Sequence, residues 1–212
     1  MNWRLASRLS VITFAILVVV LVTLIQNNKG LFSTTQSTVS FGTSSSGLQG
    51  SDLGGTPAPD FSLTDQNGKQ VSLSQFKGQP VVLTFLYTHC PDQCPLTAEK
   101  LHTALSSLGS DASKVGVLAV STDPKGDTIN TAQTFTQQHN MQGYWHYLVG
   151  PQDKLSPVWS SYNVYAQGQQ QSVDHTLAIY MIDKQGHERA FFGGNTFKPE
   201  QIETDLKILL KE

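Results

Sequence analysis

The sequence predicts an α/β domain, a mixed sheet flanked by helices, preceded by an N-terminal transmembrane anchor. Three observations carry this. Apolar runs of strand length, rich in β-branched and aromatic residues, recur at 81–87, 115–121 and 176–182 with helical patterns between them. The turn Asp183-Lys-Gln-Gly186 joins the last run to Ala190-Phe-Phe192, and strands joined by a tight turn run antiparallel, so the sheet is mixed. Residues 9–25 are apolar and uncharged, and they follow Arg4 and Arg8.

That apolar stretch is near the lower length limit of a membrane-spanning helix and exceeds a usual signal-peptide core. A cleaved signal peptide is the alternative. No small-x-small cleavage pattern precedes Asn27 and no cysteine there could accept a lipid, which favours an uncleaved anchor. Positive residues ahead of the span place residues 1–8 in the cytoplasm and the rest outside. Residues 26–55 are dominated by Ser, Thr, Gly and Gln. They bury too little to offset ordering entropy and read as a flexible linker. The folded domain is expected over 56–212.

Within it, Asn67-Gly68 sits between the alternating pairs Ser62-Leu63 and Val71-Ser72-Leu73 and signals a hairpin. After strand 81–87, a helix is expected over 96–108, with Leu101, Leu105 and Leu108 at helical spacing. A strand follows at 115–121, a helix at 128–140 and a short strand at 146–149. A helix over 152–162 has Leu155, Val158, Trp159 and Tyr162 on one face, and Pro157 must either kink it or begin it. Val164 and Tyr165 form a brief extended piece, and a helix from 198 to 210 closes the domain. The layers are those of a thioredoxin-like fold.

The 212 residues suffice for one domain with a real core once the N-terminal segment is set aside. Fourteen basic against sixteen acidic residues give a net charge of −2. No basic footprint for nucleic acid is present, so a nucleic-acid partner is excluded. The only cysteines are Cys90 and Cys94, too few for a disulfide-stapled scaffold and close enough for redox or metal chemistry.

Both cysteines fall where a strand feeds a helix, and Pro91 and Pro95 fit only before or within a first helical turn. Free N–H groups and the helix dipole there favour thiolate over thiol. A helical spacing of four would put both sulfurs on one face. They could form a disulfide or hold one metal ion.

The segments Phe85-Leu-Tyr-Thr-His-Cys-Pro-Asp-Gln-Cys-Pro, Ser121-Thr-Asp-Pro-Lys-Gly-Asp-Thr128 and Asp174-His175-Thr-Leu-Ala-Ile-Tyr-Met-Ile-Asp183 together resemble the Sco/SenC family of copper-binding, thioredoxin-fold proteins. The resemblance spans residues 57 to 210. It implies a membrane-tethered copper metallochaperone that helps assemble the dinuclear copper centre of cytochrome c oxidase. Cys90, Cys94 and His175 would be the ligands, and the copper-bearing oxidase subunit, other copper chaperones or thiol reductases the partners. It also implies a single-pass inner-membrane protein with its domain on the outer, extracytoplasmic face.

The residues themselves reach similar ground less specifically. Thiolates favour Cu(I), and imidazole serves Cu(I) and Cu(II) alike. Zinc remains chemically open, although two sulfurs are few for a closed structural site. His89, beside Cys90, is the alternative nitrogen ligand, while His102, His139, His146 and His187 read as surface or core-edge residues. Asp123 and Asp127 match the family's acidic Asp-Pro loop, in which Gly126 replaces a position often charged. Asp123 reads as a turn or N-cap residue, while for Asp127 both N-capping of the helix at 128 and a part in a partner-docking loop stay open. The competing function is a thiol-disulfide oxidoreductase with Cys90 and Cys94 as its catalytic pair. The spacing of three between the cysteines, one more than such enzymes usually carry, argues for metal.

Overall fold

In the computed structural model of the protein, residues 17–19, 47–168 and 173–212 are described. In chain order the elements from residue 47 onward are β1 (Ser51–Pro57), β2 (Ser62–Asp65), β3 (Gln70–Ser72), β4 (Val81–Leu86), α1 (Gln93–Ser107), β5 (Gly116–Ser121), α2 (Ile129–Gln138), β6 (His146–Val149), α3 (Gln152–Ser161), β7 (Ala166–Gly168), β8 (Val173–His175), β9 (Ala178–Ile182), β10 (His187–Gly193) and α4 (Pro199–Leu209). Short 3-10 turns at Leu73–Phe76 and Gly109–Lys114 complete them.

The central strands alternate between two cores, which is why they read as unbroken apolar runs. Val82 and Leu86 of β4, Val117 and Ala119 of β5, and Ile179 and Met181 of β9 face one side. There they meet Leu101 and Leu105 of α1, Phe135 of α2 and Leu206 of α4. Leu83 and Phe85, Leu118 and Val120, and Tyr180 and Ile182 face the other side, against Leu155 and Trp159 of α3. Burying a Leu or Phe fully contributes about 1.5–3 kcal/mol, so these two layers dominate the fold's stabilisation.

The main sheet has the order β1-β10-β9-β4-β5-β6-β2-β3. β4 runs parallel to β5 and antiparallel to β9, and β5 runs parallel to β6. This is the thioredoxin-like mixed sheet expected. The β2–β3 hairpin turns at Gly68, whose φ of 76° suits a residue without Cβ. Pro157 sits inside α3 without ending it.

One expectation is revised here. The linker expected at 26–55 is shortened, because residues from 47 on belong to the packed unit. Leu48 is buried, the Gln49 and Gly50 amides donate to the Asp205 carboxylate at 2.6 and 3.2 Å, and β1 pairs with β10. A Cβ on Gly50 would lie 2.9 Å from side-chain atoms of Ala190 and Phe192, so the close approach needs glycine there. An edge strand held by backbone bonds needs few apolar residues and therefore reads as linker. The expected span at 9–25 and linker at 26–46 lie outside the described residues apart from 17–19. Among the described residues, no helix is long and apolar enough to cross a membrane.

Candidate metal centre

Cys90 and Cys94 lie where the central strand β4 passes into α1, as expected, but only Cys94 is helical. α1 begins at Gln93 rather than 96, with Asp92 as N-cap, its carboxylate accepting from the Gln93 amide at 2.6 Å. Cys90 precedes the cap, so a turn rather than helical spacing brings the sulfurs together. The Cys94 amide, one of the unpaired donors of the first helical turn, donates to Cys90 Sγ at 3.3 Å. Both cysteines are buried and neither is in a disulfide.

The Cys94 side chain hydrogen-bonds the Cys90 sulfur, and the Cys94 and Asp92 amides add to it. Together these outweigh burial and hold the Cys90 thiol down to about 5. Cys94 moves the opposite way, first because its proton is kept in that bond and then because it is buried. The pair thus carries one proton, with Cys90 as the thiolate.

His175 comes from β8, the second strand of a separate two-stranded ribbon with β7, in which it pairs with Ala166. It was expected where the apolar strand 176–182 begins, but that strand starts at Ala178. The ring is delivered to the cysteines all the same, with Nε2 3.7 Å from Cys94 Sγ. Its Nδ1 lies 3.0 Å from the Thr176 carbonyl, which can only accept, so Nδ1 carries the proton and Nε2 presents a lone pair. Burial pushes His175 below the usual imidazole range and keeps it neutral at pH 7. The Tyr87 ring meets it edge-on with centroids 5.5 Å apart. Two sulfurs, one already a thiolate, and a neutral imidazole suit a soft or borderline metal ion.

A second close grouping of potential ligands joins His89, Asp123 and Asp127, with donor atoms within 4.8 Å of one another. Its hydrogen bonds assign it a different part. Asp127 Oδ1 accepts from the Thr88 amide and hydroxyl at 2.9 and 2.7 Å. Its Oδ2 accepts from Ser121 Oγ at 2.6 Å and the Tyr147 hydroxyl at 3.0 Å. The lone pairs a cation would need are taken. Asp127 is also not the expected N-cap of α2, since Thr128 fills that position and accepts from the Thr131 amide at 3.2 Å. A Cβ on Gly126 would lie 2.2 Å from Asp123 Oδ2 and 3.2 Å from His89 Nδ1, so glycine here lets those two side chains approach.

The remaining histidines sit as expected, each at the edge of other packing: His102 against Tyr144, His139 against Phe135, His146 at 3.0 Å from Asp65, and His187 beside Asp183. Sequence reasoning missed Thr88, Tyr87, Tyr147 and Asn195. The Asn195 amide donates to the Gln93 carbonyl at 3.2 Å and so braces the start of α1 from the β10–α4 loop. None of these carries a local signal, since each acts across the fold.

Residues 51–211 match the family described as SCO1/SenC. The chain is 33% identical over 135 residues to the protein SCO2 homolog, mitochondrial, of Bos taurus, covering 60% of this chain and 50% of that one. The chain spans about half the length of the curated relatives it matches. Among solved structures, Bradyrhizobium japonicum ScoI with copper bound superposes with a TM-score of 0.66 at 34% identity, covering 73% of this chain and all of that one. A structure of BsSco, a member of the Sco family of cytochrome c oxidase assembly proteins with a disulfide switch, superposes with a TM-score of 0.64 at 23% identity, covering 76% of this chain and 96% of that one. At that identity the likeness is one of fold.

Proposed function

The chain belongs to the SCO1/SenC family, and from that premise we propose that it is a copper metallochaperone that helps assemble the dinuclear copper centre of cytochrome c oxidase. The observation that carries the reading is the meeting of donors from positions 90, 94 and 175, with Cys94 Sγ 3.7 Å from His175 Nε2 and its amide 3.3 Å from Cys90 Sγ. Cys90, Cys94 and His175 would hold the ion. The thiolates suit Cu(I), and the imidazole supplies the further donor that Cu(II) requires. Residues 9–25 would anchor the domain to the inner membrane, on its outer face. The partner would be the copper-bearing oxidase subunit, with other copper chaperones or thiol reductases acting upstream.

Anaerobic titration of the reduced protein with Cu(I), and aerobic titration of freshly reduced protein with Cu(II), tests this with metal analysis. One ion per chain is expected, lost on Cys90→Ser or Cys94→Ser. Copper bound equally well by both variants would overturn the reading.

A second reading, a thiol-disulfide oxidoreductase, rests on the free pair with one sulfur held as thiolate. Cys90 would attack a client disulfide and release one client thiolate. Cys94 would then displace the other, passing two electrons to the client and leaving a Cys90–Cys94 disulfide. Reduction of a model disulfide by copper-free protein measures this activity separately from copper binding.

A further inference from the structure

Asp127 is buried, yet it lies on the loop between β5 and α2, a place where aspartates usually face water. Its four hydrogen-bond partners come from three places: Thr88 from the segment between β4 and Cys90, Ser121 from the end of β5, and Tyr147 from β6. Thr88 is the point of leverage. It follows Tyr87, whose ring meets His175, and lies two residues before Cys90. Ser121 is itself fixed, because its carbonyl accepts from Trp159 Nε1 at 2.9 Å and its hydroxyl accepts from the Asp123 amide at 3.1 Å. The bracket therefore rests on a rigid floor and holds the segment that presents the sulfur pair.

We propose that Asp127 is a positioning residue for the metal centre: through Thr88 it sets the 87–90 segment, and its buried negative charge favours the more highly charged copper ion. This deepens the copper reading above and rests on it. The charge acts because a buried anion is poorly screened, and oxidation of the bound ion adds one positive charge near it. Residues that only orient ligands commonly change metal affinity by about 10–100-fold when replaced.

The test separates holding from charge. Asp127→Asn keeps an oxygen for Thr88 but leaves the buried Tyr147 hydroxyl without an acceptor. It is therefore made in a Tyr147→Phe background and compared with Tyr147→Phe alone. The Cu(II) to Cu(I) affinity ratio is expected to fall about tenfold, which is about 59 mV upward in the potential of a one-electron couple. An unchanged ratio overturns the charge role. In metal-free protein, Thr88→Val, which deletes one bond of the bracket, is expected to speed hydrogen exchange of the 88–90 amides about tenfold while β4 and β5 keep their protection. Exchange at the parent's rate overturns the holding role. Cys90→Ser is titrated in parallel. If it binds copper like the parent, the copper reading falls, and the exchange result still judges the bracket.

Discussion

The sulfur half of the centre sits on the sheet, gripped by the Asp127 bracket, by the Asp92 cap and by Asn195 from the β10–α4 loop. The histidine half hangs from the β7–β8 ribbon, whose base is closed by the Thr176 amide to the Tyr165 carbonyl at 2.9 Å and the Tyr165 amide to Thr176 Oγ1 at 3.1 Å. One half is continuous with the core, and the other is joined to it locally. Damage to the sulfur side should therefore reach the fold, whereas damage to the histidine side should stay in the site.

The sharpest break of this asymmetry is at the sulfurs. Cys90→Ser or Cys94→Ser is expected to lower Cu(I) affinity by more than about 100-fold, beyond the range typical of residues that only orient a ligand. Competition against a chelator of known affinity measures it. His175→Ala comes next, with Cu(II) affinity falling about 100-fold and Cu(I) much less, because two thiolates alone can satisfy Cu(I). Titration with both ions checks this, and equal losses would remove His175 as the ligand that distinguishes them.

Stability should show the same contrast at smaller scale. Thr88→Val leaves the buried Asp127 short of a donor and should cost about 1–3 kcal/mol. Thr176→Val, at the partly buried ribbon base, should cost less, about 0.5–1.5 kcal/mol for its single hydrogen bond. Urea unfolding of the metal-free variants compares them, and equal costs would dissolve the distinction between the halves.

A separate contrast, within the sulfur half, is in pH. Cys90 has its folded value depressed to about 5, so its contribution to stability is fully present above the ordinary thiol range and is lost as pH falls through about 5. Cys94 is shifted upward, so it begins to oppose folding only where an unfolded thiol would ionise. Between these limits the metal-free domain should gain stability from Cys90 as pH rises. Alkylation of Cys90 should be nearly flat from about pH 6 to 8 and slow below about pH 5. Cys94→Ala, which removes the leading hydrogen bond, should move that midpoint upward.

The central strands, the helices between them and the hairpin at Gly68 were legible in the sequence, because burial on both faces and turn chemistry write themselves into composition over a few neighbouring residues. The junction that holds Cys90 and Cys94 was legible for the same reason. His175 drew its significance from the resemblance of whole motifs, since nothing in its own neighbours says that a ribbon carries it to the cysteines. Only the tertiary structure decided that β1 extends the sheet, that Cys90 meets Cys94 through a turn, and that Asp127 faces inward to Thr88, Ser121 and Tyr147. These are contacts between residues far apart in the chain or choices of side-chain direction. Local composition constrains neither, because the energy that selects them comes from partners which arrive only when the sheet is assembled.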